Sequence, residues 1–353
     1  MRTSIRQVAE RAGVSPMTVS NVLRNRAEKT SEQTRQRVLQ AVHELGYLPV
    51  RMAAQNRHVT THAIGVVFIQ EMESAVGYPT FFGMCHRARQ LDHDLTIFLR
   101  SEPDWVKPGT EASFLDRRCD GFIFVGDNRR EVSEVLIHHQ IPVVECFSVS
   151  PPLGAARILS DNASGMHQAV RHLVEKGHRR IVHLAGPSSN SEAIERREGF
   201  RCMMRECGLA DYADCIVQAD TWGDYWGFAE EDEGLTTRPL TEAVLKLVSE
   251  QGVTAAVCAN DLFGLALWRM AEEYGLRVPE DLSITGVDNT MEGVLRGLTS
   301  VAQPFEQIGC AAVNAVIALL EGTDAAQASQ VLPVALIERR SVAAPRTTQR
   351  EVV

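Results

Sequence analysis

Over the first fifty positions, apolar and polar residues alternate with the period of short helices. Ile5, Val8 and Ala9 recur at helical spacing and the run stops at Gly13. Ser15 and Pro16 follow: a hydroxyl able to cap a helix, then a proline at the first helical position, where its missing N–H does no harm. Val19, Val22 and Leu23 give the next helix one apolar stripe. The first helix should therefore turn sharply into the second at Gly13-Val14, as in a helix-turn-helix unit. A third helix is expected from Thr30-Ser31, with Thr30 and Gln33 spaced as a capping box. Val38, Ala41, Val42 and Leu45 form its inner stripe, and Gly46 ends it. A plain three-helix bundle with polar caps would carry the same pattern.

From Ala63 the period changes. Short apolar runs at Ile64–Ile69, Leu95–Leu99, Gly121–Val125, Val143–Cys146, Ile181–Leu184, Val253–Cys258 and Leu282–Val287 are separated by helical stretches. Strands buried on both faces and spaced by helices make parallel α/β sheets. The expected fold class is α/β: an N-terminal three-helix helix-turn-helix head plus two doubly wound parallel α/β subdomains. Such sheets hold ligands at the carboxyl ends of their strands, in the cleft between them.

Charge changes the picture of the head. Of a net −9 over 353 residues, residues 1–58 hold ten Lys+Arg against four Asp+Glu, and the remainder 26 against 41. A basic head on an acidic body points to an anionic partner for the head alone. No apolar run reaches the roughly 18 residues of a membrane span, and MRTSIRQVAERAG has no apolar stretch of signal-peptide type. A cytoplasmic protein with no membrane partner is therefore expected. The eight cysteines, Cys85, Cys119, Cys146, Cys202, Cys207, Cys215, Cys258 and Cys310, form no CxxC pair and are expected to stay reduced. His138 and His139 are adjacent. His167 and His172, like His178 and His183, are five apart rather than four, so no metal site is expected. No nucleophile elbow, phosphate loop or paired-acid motif occurs, so no cofactor and no catalysis are expected.

A helix-turn-helix places its second helix in the major groove of double-stranded DNA, with N-terminal residues at the base edges. The candidates are Pro16 and Met17, which offer apolar contact to a thymine methyl, and Asn21, which can pair bidentately with adenine. Ser15 and Thr18 suit phosphate oxygens.

SIRQVAERAGVSPMTVSNVL followed by TRQRVLQAVHELGYLP resembles the DNA-binding head of the LacI/GalR repressor family. The resemblance implies a hinge helix over Val50–Arg57 that docks in the operator minor groove, with Arg51, Ala53 and Asn56 at the DNA. The family usually has leucine, a wedge between base pairs, at the position of Asn56, and more often arginine at that of Asn21. Weaker kinking and an altered base preference are expected. SDNASGMHQAVRHLVEKGHRRIVHLAGP, AVCANDLFGLALWRMAEEYGLRVPEDLSITGVDN and LTSVAQPFEQIG extend the resemblance along the body. They imply a periplasmic-binding-protein-like sensor whose chain crosses between subdomains near 157–162, 287–291 and 320–328. The expected boundaries are a head at 1–48, hinge and linker at 49–60, an effector domain at 61–344 and a tail at 345–353. Within the effector domain, the N-subdomain takes 61–158 and 289–322, and the C-subdomain takes 159–288 and 323–342.

The resemblance also supplies effector residues. Arg196 matches an arginine that bonds the ligand, Asp288 a carboxylate that accepts its hydroxyl or N–H groups, Asn260 a frequent contact, and Trp222 an aromatic that stacks on it. Each has a plainer reading: an ion pair of Arg196 with Glu192 or Glu195, a turn residue, a cap for a helix beginning at Asp261, and core. Phe81 and Phe82, in GYPTFF, resemble a cleft-lining segment or are core. Gly83 follows at once, so the helix Phe82–Leu91 is expected to be short. Residues 229–242 make the chain longer than the family usually is, and the acidic run Glu230–Glu233 reads as a solvated loop or as a lid. The implied function is that of a sequence-specific DNA-binding transcriptional regulator, foremost a repressor, acting as a homodimer on a pseudo-palindromic operator. A small-molecule effector, expected to be a sugar, controls its affinity. No heptad tail follows Arg340, which favours the dimer. The alternatives are a nucleoside- or nucleobase-responsive regulator and a carbohydrate-binding protein without a DNA role.

Overall fold

The computed structural model describes residues 5–23, 31–45, 60–68, 75–99, 114–115, 118–126, 130–148, 153–222 and 238–346. The chain divides between Thr61 and His62 into two compact units. In the first, α1 (Ile5–Ala12), α2 (Pro16–Leu23) and α3 (Glu32–Glu44) close over Val8, Ala9, Ala12, Val19, Val22, Val38 and Ala41. Gly13 ends α1 at φ +64°, a left-handed conformation that a Cβ would strain, and Val14 N–H donates to Ala9 O at 3.0 Å. Ser15 Oγ accepts from Thr18 N–H at 3.1 Å and caps α2. At α3 the capping hydroxyl is Ser31, which accepts from Thr34 N–H at 3.3 Å, so the box sits one residue beyond the expected Thr30–Gln33 pair. Thr30, Gly46, the hinge residues Arg51, Ala53 and Asn56, and residues 223–237 lie outside the described residues.

The second unit holds two six-stranded sheets. The first joins β1 (Ala63–Phe68), β2 (Asp94–Leu99), β3 (Gly121–Val125), β4 (Val143–Cys146), β5 (Ala156–Ser160) and β11 (Gln330–Leu332), all parallel, in the order β11-β5-β4-β3-β1-β2. The second joins β6 (Ile181–Ala185), β7 (Ile216–Gln218), β8 (Ala255–Cys258), β9 (Ser283–Asp288), β10 (Thr299–Ala302) and β12 (Ala335–Ile337). Its order is β12-β10-β9-β8-β6-β7, parallel apart from the antiparallel β10–β12 pair. In chain order the helices are α4 (Gly77–Gln90), α5 (Arg130–His138), α6 (Asn162–Glu175), α7 (Ser191–Glu206), α8 (Arg238–Gln251), α9 (Asp261–Glu273), α10 (Met291–Arg296), α11 (Phe305–Leu320) and α12 (Ala325–Ala328). Each sheet is covered on both faces. Ile64, Met84, Val313 and Val316 pack on one side of the first, and Phe98, Phe114, Phe122 and Phe124 on the other. Phe263, Leu267 and Trp268 flank one side of the second, and Met166, Phe200 and Met204 the other. This double burial is why the strands read as unbroken apolar runs.

The chain passes between the sheets three times. The first passage follows β5 at Asp161. The second follows β10, at Gln303-Pro304, and not residues 287–291, because β10 pairs with β9 before the chain leaves for α11. The third lies at Pro333-Val334, between β11 on the first sheet and β12 on the second, and not at 320–328. Residues 291–302 thus belong with the second sheet and 323–332 with the first, the reverse of the expected division. Periodicity finds a strand, but the sheet it joins is a non-local choice.

α4 also differs from expectation. It begins at Gly77 and runs 14 residues, so it is not a shortened helix from Phe82 to Leu91. Pro79 falls in its first turn, where no intrahelical N–H bond is lost. Gly83 has a packing role. A Cβ built on it would lie 2.0 Å from Glu306 O in α11, and one on Gly309 would lie 2.0 Å from Thr80 O in α4. The two helices cross backbone to backbone at these glycines.

Candidate functional site

In the head, Ser15, Pro16 and Met17 are exposed at the start of α2, Met17 to 69%, while Thr18 and Asn21 are half-buried. Met17 and Asn21 are one turn apart and share a face. Ser15 and Thr18 are coupled, their hydroxyls 2.9 Å apart. α2 contains no charged residue, and Val19 and Val22 pin its opposite face to the core. The helix thus presents a neutral face with an exposed N-terminus, the form that enters a groove between phosphates.

In the body, a second group of side chains gathers at the carboxyl ends of the second sheet. Arg196 is 3% exposed in α7. Its Nε donates to Asn162 Oδ1 at 2.8 Å, its Nη1 donates to Ala259 O at 2.7 Å, and its Nη2 lies 3.8 Å from Glu192 Oε1. The plainer reading of Arg196, the ion pair with Glu192, is therefore present, but as the longest of its three contacts. Trp222, past the end of β7, lies with its ring 5.8 Å from the Arg196 guanidinium carbon and 6.1 Å from the Phe263 ring. The sheet leaves room for it at Gly186, where a Cβ would strike the indole at 2.4 Å. Asp288 ends β9 with φ +108° and accepts from Gln303 Nε2 at 2.6 Å. Burial pushes its carboxyl up to about 7, against the pull of the Arg196 charge and the Gln303 bond, with the charge of Asp261 adding to the rise.

Arg196, Asp288 and Trp222 are therefore neighbours. Asn260 is adjacent, but its side-chain oxygen accepts from Phe263 N–H at 2.9 Å and caps α9, as its plainer reading had it. Phe81 packs edge-on against Phe68 at 5.8 Å in the first subdomain's core, and Phe82 is 52% exposed. Among the described residues neither shares a ring contact or hydrogen bond with the Arg196 group.

The sequence reading missed three supports. Asn162, the first residue of α6, orients Arg196, and Gln303 orients Asp288. Asp261 is fully buried at the start of α9. It accepts from Thr290 N–H at 2.7 Å, from Thr290 Oγ1 at 3.2 Å and from Ser300 Oγ at 2.5 Å, while Ser300 Oγ accepts from Asn289 N–H at 3.0 Å. These bonds clamp the left-handed Asp288-Asn289 turn that carries the carboxylate. Burial raises Asp261 to about 6 despite those donors. All three residues sit in motifs quoted above, SDN, AND and VAQP, but only the fold shows what they hold.

Residues 4–50 match the model for bacterial regulatory proteins of the lacI family, and residues 170–342 match that for a periplasmic binding protein-like domain. The chain is similar to the lactose operon repressor of Escherichia coli (strain K12), 30% identical over 348 residues that cover 96% of this chain and 91% of the repressor. The chain belongs to the lacI family. A crystal structure of the lac repressor dimer bound to operator and the anti-inducer ONPF superimposes with a TM-score of 0.78 at 25% identity, covering 98% of this chain and 100% of that one. A complex of the transcriptional regulator CelR with cellobiose superimposes at 0.67, also at 25% identity, covering 96% and 100%. This lacI-family protein is a DNA-binding transcriptional regulator with the lac repressor fold. Among the described residues no helix is long and apolar enough to cross a membrane.

Proposed function

We propose that this regulator is a cytoplasmic, non-catalytic repressor, dimeric on a pseudo-palindromic operator, and that a sugar held between Arg196 and Asp288 sets its operator affinity. The carrying observation is the convergence of a buried guanidinium, a half-buried carboxyl raised to about 7 and an indole at the carboxyl ends of one sheet. Charged donor and acceptor grip adjacent hydroxyls, and an aromatic face covers the C–H side of a sugar ring. Asn260 completes the wall. The relative whose structure carries cellobiose supports the sugar class. In the head, Met17, Pro16 and Asn21 read bases, Ser15 and Thr18 hold phosphates, and Arg51, Ala53 and Asn56 follow in the minor groove. Exposed Tyr78 and Phe82 on α4 and Ile97 on the edge strand β2 support pairing through the first subdomain.

Sugar that binds one arrangement of the two subdomains better than the other shifts the balance between them, and operator affinity with it. The test is a thermal-shift screen against monosaccharides, disaccharides, nucleosides and nucleobases. Sugar at a hundred times its Kd should stabilise the protein by about 2.7 kcal/mol. The shift should vanish in Arg196→Ala and Asp288→Ala, and the same sugar should alter an operator mobility shift. A sugar that still stabilises both variants would remove this pocket, and a response to nucleosides alone would replace the sugar class.

A further inference from the structure

We propose that Arg197, acting through Gln218, seats the Trp222 indole. Neither residue touches the effector, and both are positioning residues. This deepens the sugar-site reading above, which takes Trp222 as the aromatic wall.

Trp222 lies past the end of β7, and it rests on backbone. A Cβ on Gly186, the residue after β6, would meet three atoms of the indole's benzo ring, the nearest at 2.4 Å. The indole therefore follows the Gly186 peptide. At this point the β6–β7 ladder gives way to a side chain. Ala185 pairs with Gln218, and Ala219 N–H donates to Ala185 O at 3.0 Å. Beyond that rung, Gln218 Nε2 donates to Gly186 O and, at 3.1 Å, to Ala219 O. One amide thus ties the carbonyls at the ends of both strands. A primary amide can turn over and offer its oxygen instead, which two carbonyls would repel. Arg197 fixes its orientation. Arg197 Nη1 donates to Gln218 Oε1 at 2.7 Å. A guanidinium only donates, so the amide keeps its oxygen toward α7 and its N–H groups toward Gly186.

The bonding of Arg197 itself supports this role. Its side chain is only 19% exposed. Its Nε is buried without a hydrogen-bond partner among the described residues, and Glu198 Oε1 stands 3.7 Å away. Buried donors are nearly always paired, and an apolar side chain here would avoid the cost of desolvating a charge. What the arginine supplies is direction rather than stability. α7 thereby acts on the indole through two successive residues. Arg196 holds its guanidinium carbon 5.8 Å from the ring, near the outer limit of cation–π contact, so a small displacement breaks that contact. Arg197 sets the peptide on which the ring lies.

The test is fluorine NMR of the full-length protein labelled with fluorotryptophan, without ligand. Trp222→Phe identifies the Trp222 signal among those of the four tryptophans. Gln218→Glu is the decisive variant. It gives Arg197 a charged partner, so a purely structural link is kept, but a carboxylate cannot donate to Gly186 O. The Trp222 signal should shift or broaden in Gln218→Glu and in Arg197→Leu. The signal of Trp268, buried in α9, should stay in place and report an intact fold. A Trp222 signal unmoved in both variants overturns the proposal. D-glucose, D-galactose and cellobiose are then titrated by calorimetry. A sugar that binds wild type should lose about tenfold in affinity in Arg197→Leu, the size of one aromatic contact, and nothing further when Arg197→Leu is added to Trp222→Ala. An equal loss in the Trp222→Ala background refutes the route through the indole. If the Trp222 signal moves but sugar affinity is unchanged in Trp222→Ala, the positioning stands and the sugar-site reading fails instead.

Discussion

Replacing Gly309 by alanine sets two effects against each other. Alanine is the better helix former, worth about 1 kcal/mol in a helix interior. Its Cβ, however, would sit 2.0 Å from Thr80 O and 2.8 Å from Met84 N, both backbone atoms of α4. Close carbon-to-carbonyl contacts in proteins settle near 3.3 Å or more, so α4 and α11 would have to part by more than about 1 Å. No rotamer change can relieve a clash between backbones. Overpacking costs about 1–3 kcal/mol, sometimes more, and the separation also loosens both helices on Met84 and Ile308 beneath them. Because the clash is between backbones, its cost lies at the upper end of that range, and a net loss of about 2 kcal/mol follows. At about 2.1 cal/mol/K per residue over the roughly 290 residues of the body, that lowers Tm by about 3 °C. Gly264→Ala is the control. Its new methyl would meet side-chain methyls, those of Leu298 from 3.1 Å and of Ile284 at 3.8 Å, so its change should stay within about 1 kcal/mol. Differential scanning calorimetry at matched scan rates compares them. If Gly309→Ala melts at or above wild type, the backbone crossing is not what requires glycine there.

Other outcomes follow from single groups. Ser15→Ala removes the oxygen capping α2 and should destabilise the head by about 1 kcal/mol, weakening all operators alike in mobility shifts. Asn21→Ala should cost about 1–3 kcal/mol at one base pair and little elsewhere, read from a set of single-substitution operators. His183 is wholly buried, and burial lowers its pKa to about 4 from 6.5. The unfolded chain therefore binds the extra proton first: the stability His183 lends is complete above pH 6.5 and is lost between 6.5 and about 4, to a total of roughly 3 kcal/mol. His183→Gln should flatten acid unfolding in that window, and an unchanged profile would refute the assignment. Asp288 runs the other way. With its folded pKa raised to about 7 from 3.8, it favours the folded state at low pH and disfavours it as pH rises through 7. Asp288→Asn should raise Tm at pH 8, by about 2 kcal/mol of stability, while abolishing the response to sugar.

Where the sequence could be read, the signal was local. The Gly13 turn, the Ser15-Pro16 cap and the stripes of α1 to α3 depend on residues within one or two turns of each other. The seven apolar runs were legible because parallel strands covered on both faces have no polar side to interrupt them. β5 carries exposed Arg157, and β7, β10, β11 and β12 are three or four residues long. Those strands are too short or too mixed to stand out from loops.

What the sequence determined by itself is the kind of protein. A basic helix-turn-helix head and an acidic doubly wound body follow from period and charge, and Arg196 and Asp288 are candidates that the family resemblance supplies. The tertiary structure alone decided which sheet takes β10 and which takes β11, and therefore where the chain crosses between them. It also turned Gly83 from a break in a helix into a contact between two, and it exposed Asn162, Asp261 and Gln303 as the groups that orient the site. The physical reason is the same in each case. Helix stripes and caps are satisfied by near neighbours, whereas strand pairing, backbone contact and the pairing of buried polar atoms depend on residues up to 227 positions away, as in the bond from Arg87 Nε to Asn314 Oδ1.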